Sequence, residues 1–238
     1  MLASRGFRRC ARWLAALVLG AVLVGPLPAG RADDFEVDLA LILAVDCSFS
    51  VDSREFALQM QGLARAFMRD EVKRAIVQGH RQRIAVSVVQ WSDEMNQKVV
   101  LPWTIVAGPA DADELGQVLF ITGRQLAEGG TSISTALVYS AALFAAAPSA
   151  ERRVIDMSSD GRNNSGPPVK PARDHLVAKG ITINGLTILN EWPTLDSYFE
   201  NNVVGGPDNF VMPANDYEDY ENAIYRKLLR EITGPGIS

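Results

Sequence analysis

The sequence predicts an α/β protein built on a central, mainly parallel β-sheet. The first observation is a set of apolar runs of strand length, at residues 37–45, 83–91, 152–158 and 181–189. The first of these is almost unbroken, as strands covered on both faces tend to be. The second is that segments with helical spacing of apolar residues lie between the runs. Strands that alternate with helices close into right-handed βαβ units around a parallel sheet. The third is uniform composition: no internal repeat or low-complexity tract divides residues 33–238, which therefore read as one domain.

Each element has its own local reason. Residues 37–45 (VDLALILAV) form the first strand. Asp52 and Glu55 make a capping-box start, and Phe56, Met60, Leu63 and Phe67 then recur at spacings of four, three and four, the stripe of a helix. Residues 83–91 (RIAVSVVQW) are a second strand, and 98–101 a short edge strand. Residues 113–127 and the Ala-rich 132–147 read as helices, 152–158 as a strand, 168–179 as a helix and 181–189 as a strand. A last short strand fits 209–212. The chain closes with a helix over 216–232, whose stripe holds Tyr220, Ala223, Ile224, Lys227 and Leu228. Residues 190–208 are polar and read as a long surface loop carrying Trp192, Tyr198 and Phe199.

The amino terminus follows another logic. Arg5, Arg8, Arg9 and Arg12 precede an apolar run over residues 14–24; Pro26 and Pro28 break it, and Gly30-Arg31-Ala32 supplies small residues before Asp33. That order is expected of a secretory signal peptide spanning residues 1–32, and the run is short for a membrane span, which needs ~20 apolar residues. Cleavage would leave 18 basic against 28 acidic residues, a net charge of −10. Such a surface disfavours nucleic acid and anionic membranes as partners. It would also leave Cys47 as the one cysteine, so no internal disulfide is expected. A periplasmic or secreted location follows, with no membrane insertion after cleavage.

Ligands of open α/β sheets bind beyond the carboxyl ends of the strands, and three polar clusters are expected there: Asp46-Cys47-Ser48-Phe49-Ser50, Gly129-Gly130-Thr131-Ser132 and Ser158-Ser159-Asp160-Gly161. Glycines beside two of them are expected to let the backbone turn sharply. Carboxylate, hydroxyl and water oxygens are hard donors that suit Mg²⁺, Mn²⁺ or Ca²⁺. Ser48, Ser50 and Thr131 could instead cap helices, and Asp160 a turn. Asn163, Asn164 and Trp192 are candidates for the rim, with a turn role open to both asparagines. Cys47 fits a small buried hydrophobe; a reactive thiol would need exposure and a lowered pKa. Neither His80 nor His175 falls in a motif that pairs it with a nucleophile.

On these clusters the chain resembles the von Willebrand factor A-like domains and their metal-ion-dependent adhesion site (MIDAS). Asp46, Ser48 and Ser50 match the first loop of that motif, Thr131 the second and Asp160 the third. Over residues 46–67 and the Gly-Gly-Pro at 205–207 it looks like an uncharacterised group of secreted bacterial proteins. The resemblance implies a three-layer α/β/α, Rossmann-like fold with a six-stranded, mainly parallel sheet and one short antiparallel edge strand. It also implies a divalent cation, Mg²⁺ before Mn²⁺ or Ca²⁺, whose shell is completed by an Asp or Glu of a protein partner. The expected function is an exported adhesion or scaffold module, not an enzyme. Two alternatives stand beside it: a Mg²⁺-dependent hydrolase or phosphotransferase, and a structural scaffold with an idle metal site. A phosphotransferase would want a second acidic residue two positions after Asp46, where Ser48 stands, and a serine nucleophile would need a positioned base.

Overall fold

The computed structural model describes residues 37–234. The expected signal peptide lies outside them. Among the described residues the sheet has six strands: β1 (Val37–Asp46), β2 (Ile84–Trp91), β3 (Gln97–Val106), β4 (Ala150–Ser159), β5 (Thr182–Ile188) and β6 (Val211–Ala214). Their order is β3-β2-β1-β4-β5-β6. Only the β2–β3 pairing is antiparallel, so the single reversed strand is an edge strand, as the family resemblance implies.

The helices are α1 (Ser53–Met68), α2 (Asp70–Gln78), α3 (Pro109–Ile121), α4 (Ile133–Leu143), α5 (Val169–Ala178), α6 (Leu195–Asn202) and α7 (Tyr220–Thr233). All ten residues of β1 are buried, which explains the unbroken apolar run. Side chains on a strand alternate between faces. Leu39, Leu41, Leu43 and Val45 join the core under α1, α2, α3 and α7, while Ile42 and Ala44 join the core under α4, α5 and α6. Two cores on opposite faces of one sheet make the three-layer sandwich. Packing is close where α7 crosses α1: a Cβ on Gly62 would stand 2.9 Å from the Tyr220 ring.

Several boundaries differ from the sequence expectation. The edge strand β3 runs ten residues instead of four. It is largely half-exposed and carries Pro102, which an edge strand tolerates, so it shows no clean alternation. α3 begins at Pro109, a favoured first helical position, and stops at Ile121, because Thr122 turns extended just before Gly123. α4 ends at Leu143 and runs into a 3₁₀ turn over Phe144–Ala146. α2 and α6 were not expected; α6 lies within the stretch read as a loop, anchored by buried Leu195 and Phe199.

This topology fixes the site. The chain leaves β1 toward β2 on one side, and β4 lies on the other, so the strand order reverses between β1 and β4. The crevice at such a switch point opens beyond the carboxyl ends of the two strands. Asp46 is the last residue of β1 and Asp160 follows the last residue of β4.

Candidate functional site

The first loop is short and tightly bonded. The Ser48 amide donates to Asp46 Oδ1 at 2.7 Å, turning the chain back over the end of β1. The hydroxyls of Ser48 and Ser50 meet at 3.3 Å, and Ser50 Oγ donates to Asp160 Oδ1 at 2.7 Å across the crevice. Neither serine caps α1. That cap is Asp52, whose carboxylate accepts from the amides of Arg54 and Glu55, with Glu55 closing the capping box. The hydroxyls of the first loop therefore face the crevice, not a helix end.

Thr131 belongs to the second loop, which is braced from both sides. Its amide donates to Asn164 Oδ1 at 2.7 Å, and its carbonyl accepts from the amides of Asn164 and Ser165. The Asn163 side chain accepts from the Ser134 amide at 3.3 Å, at the start of α4. Thr131 Oγ1 lies 3.4 Å from where a Cβ on Gly161 would stand, which seats it beside Asp160. Asn163 and Asn164 thus tie the third loop to the second. Trp192 stands on the β5–α6 loop, 46% exposed.

The glycines differ from expectation. Gly129, Gly130 and Gly161 have ordinary backbone angles. Gly129 and Gly130 make room for close approach: a Cβ on Gly129 would meet Asp93 Oδ2 at 2.5 Å, and one on Gly130 would meet Ser165 Cβ at 3.0 Å. The loops could not converge with larger residues there.

Asp46 and Asp160 are both fully buried. Burial raises the pKa of each, and the charge of Asp160 adds to the effect on Asp46, which is pushed up to about 7. Hydrogen bonds oppose this. Ser159 Oγ donates to Asp46 Oδ2 at 2.5 Å, and the Tyr217 hydroxyl donates to Asp160 Oδ2 at 2.9 Å. Among the described residues, no Lys, Arg or His forms an ion pair with either aspartate. Nor is there any cluster of three or more His, Cys, Asp and Glu that could hold a metal, so any cation here relies on two carboxylates, hydroxyls and water.

Ser159 and Tyr217 were not singled out from the sequence. Ser159 sat in a recognised polar cluster and could have been suspected from its place beside Asp160. Tyr217 carries no such signal, because its contact with Asp160 crosses 57 residues. Cys47 is fully buried, with its sulfur toward the Val45 carbonyl at 3.8 Å, and burial pushes its thiol up to about 12. It is a core residue. His80 pairs at 3.6 Å with Glu151, near the start of β4 and so at the opposite end of the sheet; His175 lies on α5.

A family profile described as protein of unknown function DUF1194 matches residues 36–236. The chain belongs to this family. No curated protein sequence matches the chain. Among solved structures, proximal thread matrix protein 1 of the mussel byssus superposes with a TM-score of 0.60 at 18% identity, over 84% of this chain and 49% of that one. A further crystal structure of that mussel protein has zinc in its MIDAS motif. A von Willebrand factor type A protein from Catenulispora acidiphila gives 0.56 at 18% identity, over 85% and 44% of the two chains. The pilus adhesin SpaC from Lactobacillus rhamnosus GG gives 0.57 at 12% identity, over 82% and 30%. The DUF1194 chain thus has the fold of a von Willebrand factor A domain and spans about half the length of the first of these relatives. Among the described residues, no helix is long and apolar enough to cross a membrane.

Proposed function

We propose that this DUF1194 protein is an exported, metal-dependent protein-binding module. The observation that carries the reading is the buried pair Asp46 and Asp160, which among the described residues meets hydroxyls and backbone amides but no side-chain cation. Two buried carboxylates without a counter-charge cost several kcal/mol, on the order estimated for unpaired buried ions. A divalent cation removes that cost. The donors fit one: Asp46, Ser48, Ser50, Thr131 and Asp160 offer oxygen only, which suits Mg²⁺, Mn²⁺ or Ca²⁺. When bound, the cation supplies positive charge and a coordination position open to an Asp or Glu of a protein partner.

The protein's own residues keep the site ready. Ser48 and Ser159 hold the two oxygens of Asp46, while Ser50 and Tyr217 hold those of Asp160. Outer partners of this kind orient ligands and tune affinity. A hydrolase or phosphotransferase has less support. No acidic residue stands two positions after Asp46, and neither histidine is placed to serve Ser48 or Ser50 as a base. Export rests on the basic, apolar and small-residue order of residues 1–32. It accords with relatives that are a byssus matrix protein and a pilus adhesin.

The test is thermal unfolding of residues 33–238 with Mg²⁺, with Mn²⁺ and with chelator. A site filled at ten times its dissociation constant adds ~1.4 kcal/mol, roughly 3–6 °C in midpoint for a domain of this size. Asp46→Asn removes one of the two buried charges. The expected outcome is a metal-free variant at least as stable as wild type, with no response to metal. A wild type indifferent to millimolar metal would reject the reading in favour of an idle scaffold.

A further inference from the structure

The loop that follows Asp160 carries a second polar feature that the metal site leaves unused. Arg162 follows Asp160 by two residues, so their Cα atoms lie within ~7 Å. Its guanidinium rests over the Trp192 ring at 5.1 Å from the centroid and over the Tyr198 ring at 5.5 Å. Among the described residues its one hydrogen bond runs from Nη2 to Thr194 Oγ1 at 2.8 Å, and its buried Nε has no partner. Arg162 makes no ion pair among the described residues either, although Glu191 is next to Trp192 in the chain. An arginine lying over two aromatic rings and tethered by one hydroxyl is partly pre-organised before any ligand arrives. Such a guanidinium binds a carboxylate at low entropic cost.

The surrounding charge sharpens this. Burial and the neighbouring Asp52, Asp160 and Glu191 hold Glu55 above the usual carboxylate range, so this rim is acidic. An acidic partner approaching it needs more than one positive anchor. Phe49, 70% exposed, and Met95, 88% exposed, add apolar contact area on neighbouring loops. Phe49 is fixed by its amide on the Gly129 carbonyl, and Met95 by its amide on Asp93.

We infer that Arg162 is a second anchor for the partner: the protein recognises a segment carrying two acidic side chains, one directed to the metal site and one to the Arg162 guanidinium. This rests on the metal-dependent reading above and adds to it the chemistry of the partner.

The experiment uses labelled synthetic peptides and residues 33–238. One peptide carries a single Asp flanked by leucines. The others add a second Asp one to four residues further on. Binding is measured by fluorescence anisotropy in Mg²⁺ and in chelator. At the best spacing the two-acid peptide is expected to bind about tenfold or more tightly than the one-acid peptide, as a charge-assisted hydrogen bond provides. In Arg162→Ala that ratio falls to about one. Arg162→Gln, which keeps the stem over the rings, behaves alike, and retention of the Mg²⁺-dependent rise in unfolding midpoint reports an intact site in either variant. Equal affinities in wild type, an advantage that survives in both variants, or no peptide binding by a metal-responsive protein would each overturn the inference. A wild type without a metal response, or peptide binding indifferent to chelator, fails the metal reading itself and the inference with it.

Discussion

Asp156 on β4 and Glu231 on α7 share the ammonium of Lys227, at 2.9 and 2.5 Å, and all three side chains are sealed from water. Asp46 and Asp160, at the carboxyl end of the same sheet, are as deeply buried and share only hydroxyls and amides. The first group carries its cation in the sequence. Asn184 adds a hydrogen bond to Glu231 at 3.0 Å, and the Phe210 ring lies 5.0 Å from the Lys227 ammonium. It ties α7 to β4 and β5 around one lysine, although among the described residues both Asp156 oxygens and Glu231 Oε2 lack a hydrogen-bond partner. The second group is arranged as carefully but lacks positive charge. In the first group the chain offsets one of two buried negative charges with a lysine. Where it does not, we propose that the charge is met by the divalent cation.

The largest expected effect comes from removing the internal cation. Lys227→Met keeps the apolar stem but leaves two buried carboxylates without a counter-charge, a loss of ~3–5 kcal/mol. Urea unfolding at pH 8 measures it. A loss under about 1 kcal/mol would show that the cluster does not depend on its lysine, against the cost of unpaired buried charge, and the comparison would fail.

Acidity probes the same cluster. Burial and the charge of Glu231 push Asp156 up to about 7, against 3.8 for an ordinary aspartate, while Lys227 opposes the rise. A carboxyl group with a raised folded-state pKa contributes stability that is full below its unfolded value and is lost as pH climbs through its folded value. The urea midpoint should therefore fall between about pH 4 and pH 7. Asp156→Asn should flatten its share of that slope, and an unchanged slope would place the proton elsewhere.

At the cationless pair, Tyr217→Phe deletes the hydroxyl that holds Asp160 Oδ2. Loss of such an outer partner weakens metal affinity by about 10–100-fold, which calorimetric titration with Mn²⁺ would register. An unchanged affinity would reduce Tyr217 to a packing residue. The smallest effect is expected at Cys47. Its thiol should resist alkylation at pH 8 in the native protein and react once the protein is unfolded in urea. Labelling of the folded protein would instead make it a reactive thiol within the first loop.

Some of this was legible in the chain. The apolar run of β1 required a strand covered on both faces, and Asp46, Ser48 and Ser50 following it required a polar turn at the strand's end. Hydrophobic periodicity is local, so it reveals α1 and α7, each with a buried stripe. α2 carries a short stripe of its own in Val72, Ala75 and Ile76 but is set off from α1 only by Arg69; periodicity fails for α6, whose buried residues are just Leu195 and Phe199. It fails again for β3, where edge exposure on both faces erases alternation.

The sequence by itself determined the α/β class and which hydroxyls and carboxylates stand at the ends of strands, because both follow from patterns a few residues long. Only the tertiary structure decided what those groups face. Ser159 reaches Asp46 across 113 residues, Tyr217 reaches Asp160 across 57, and Arg162 finds Thr194 across 32. Such contacts depend on strand order and register, which set neighbours without regard to spacing along the chain. The same packing gave one buried acid pair a lysine and, among the described residues, left the other without a side-chain cation.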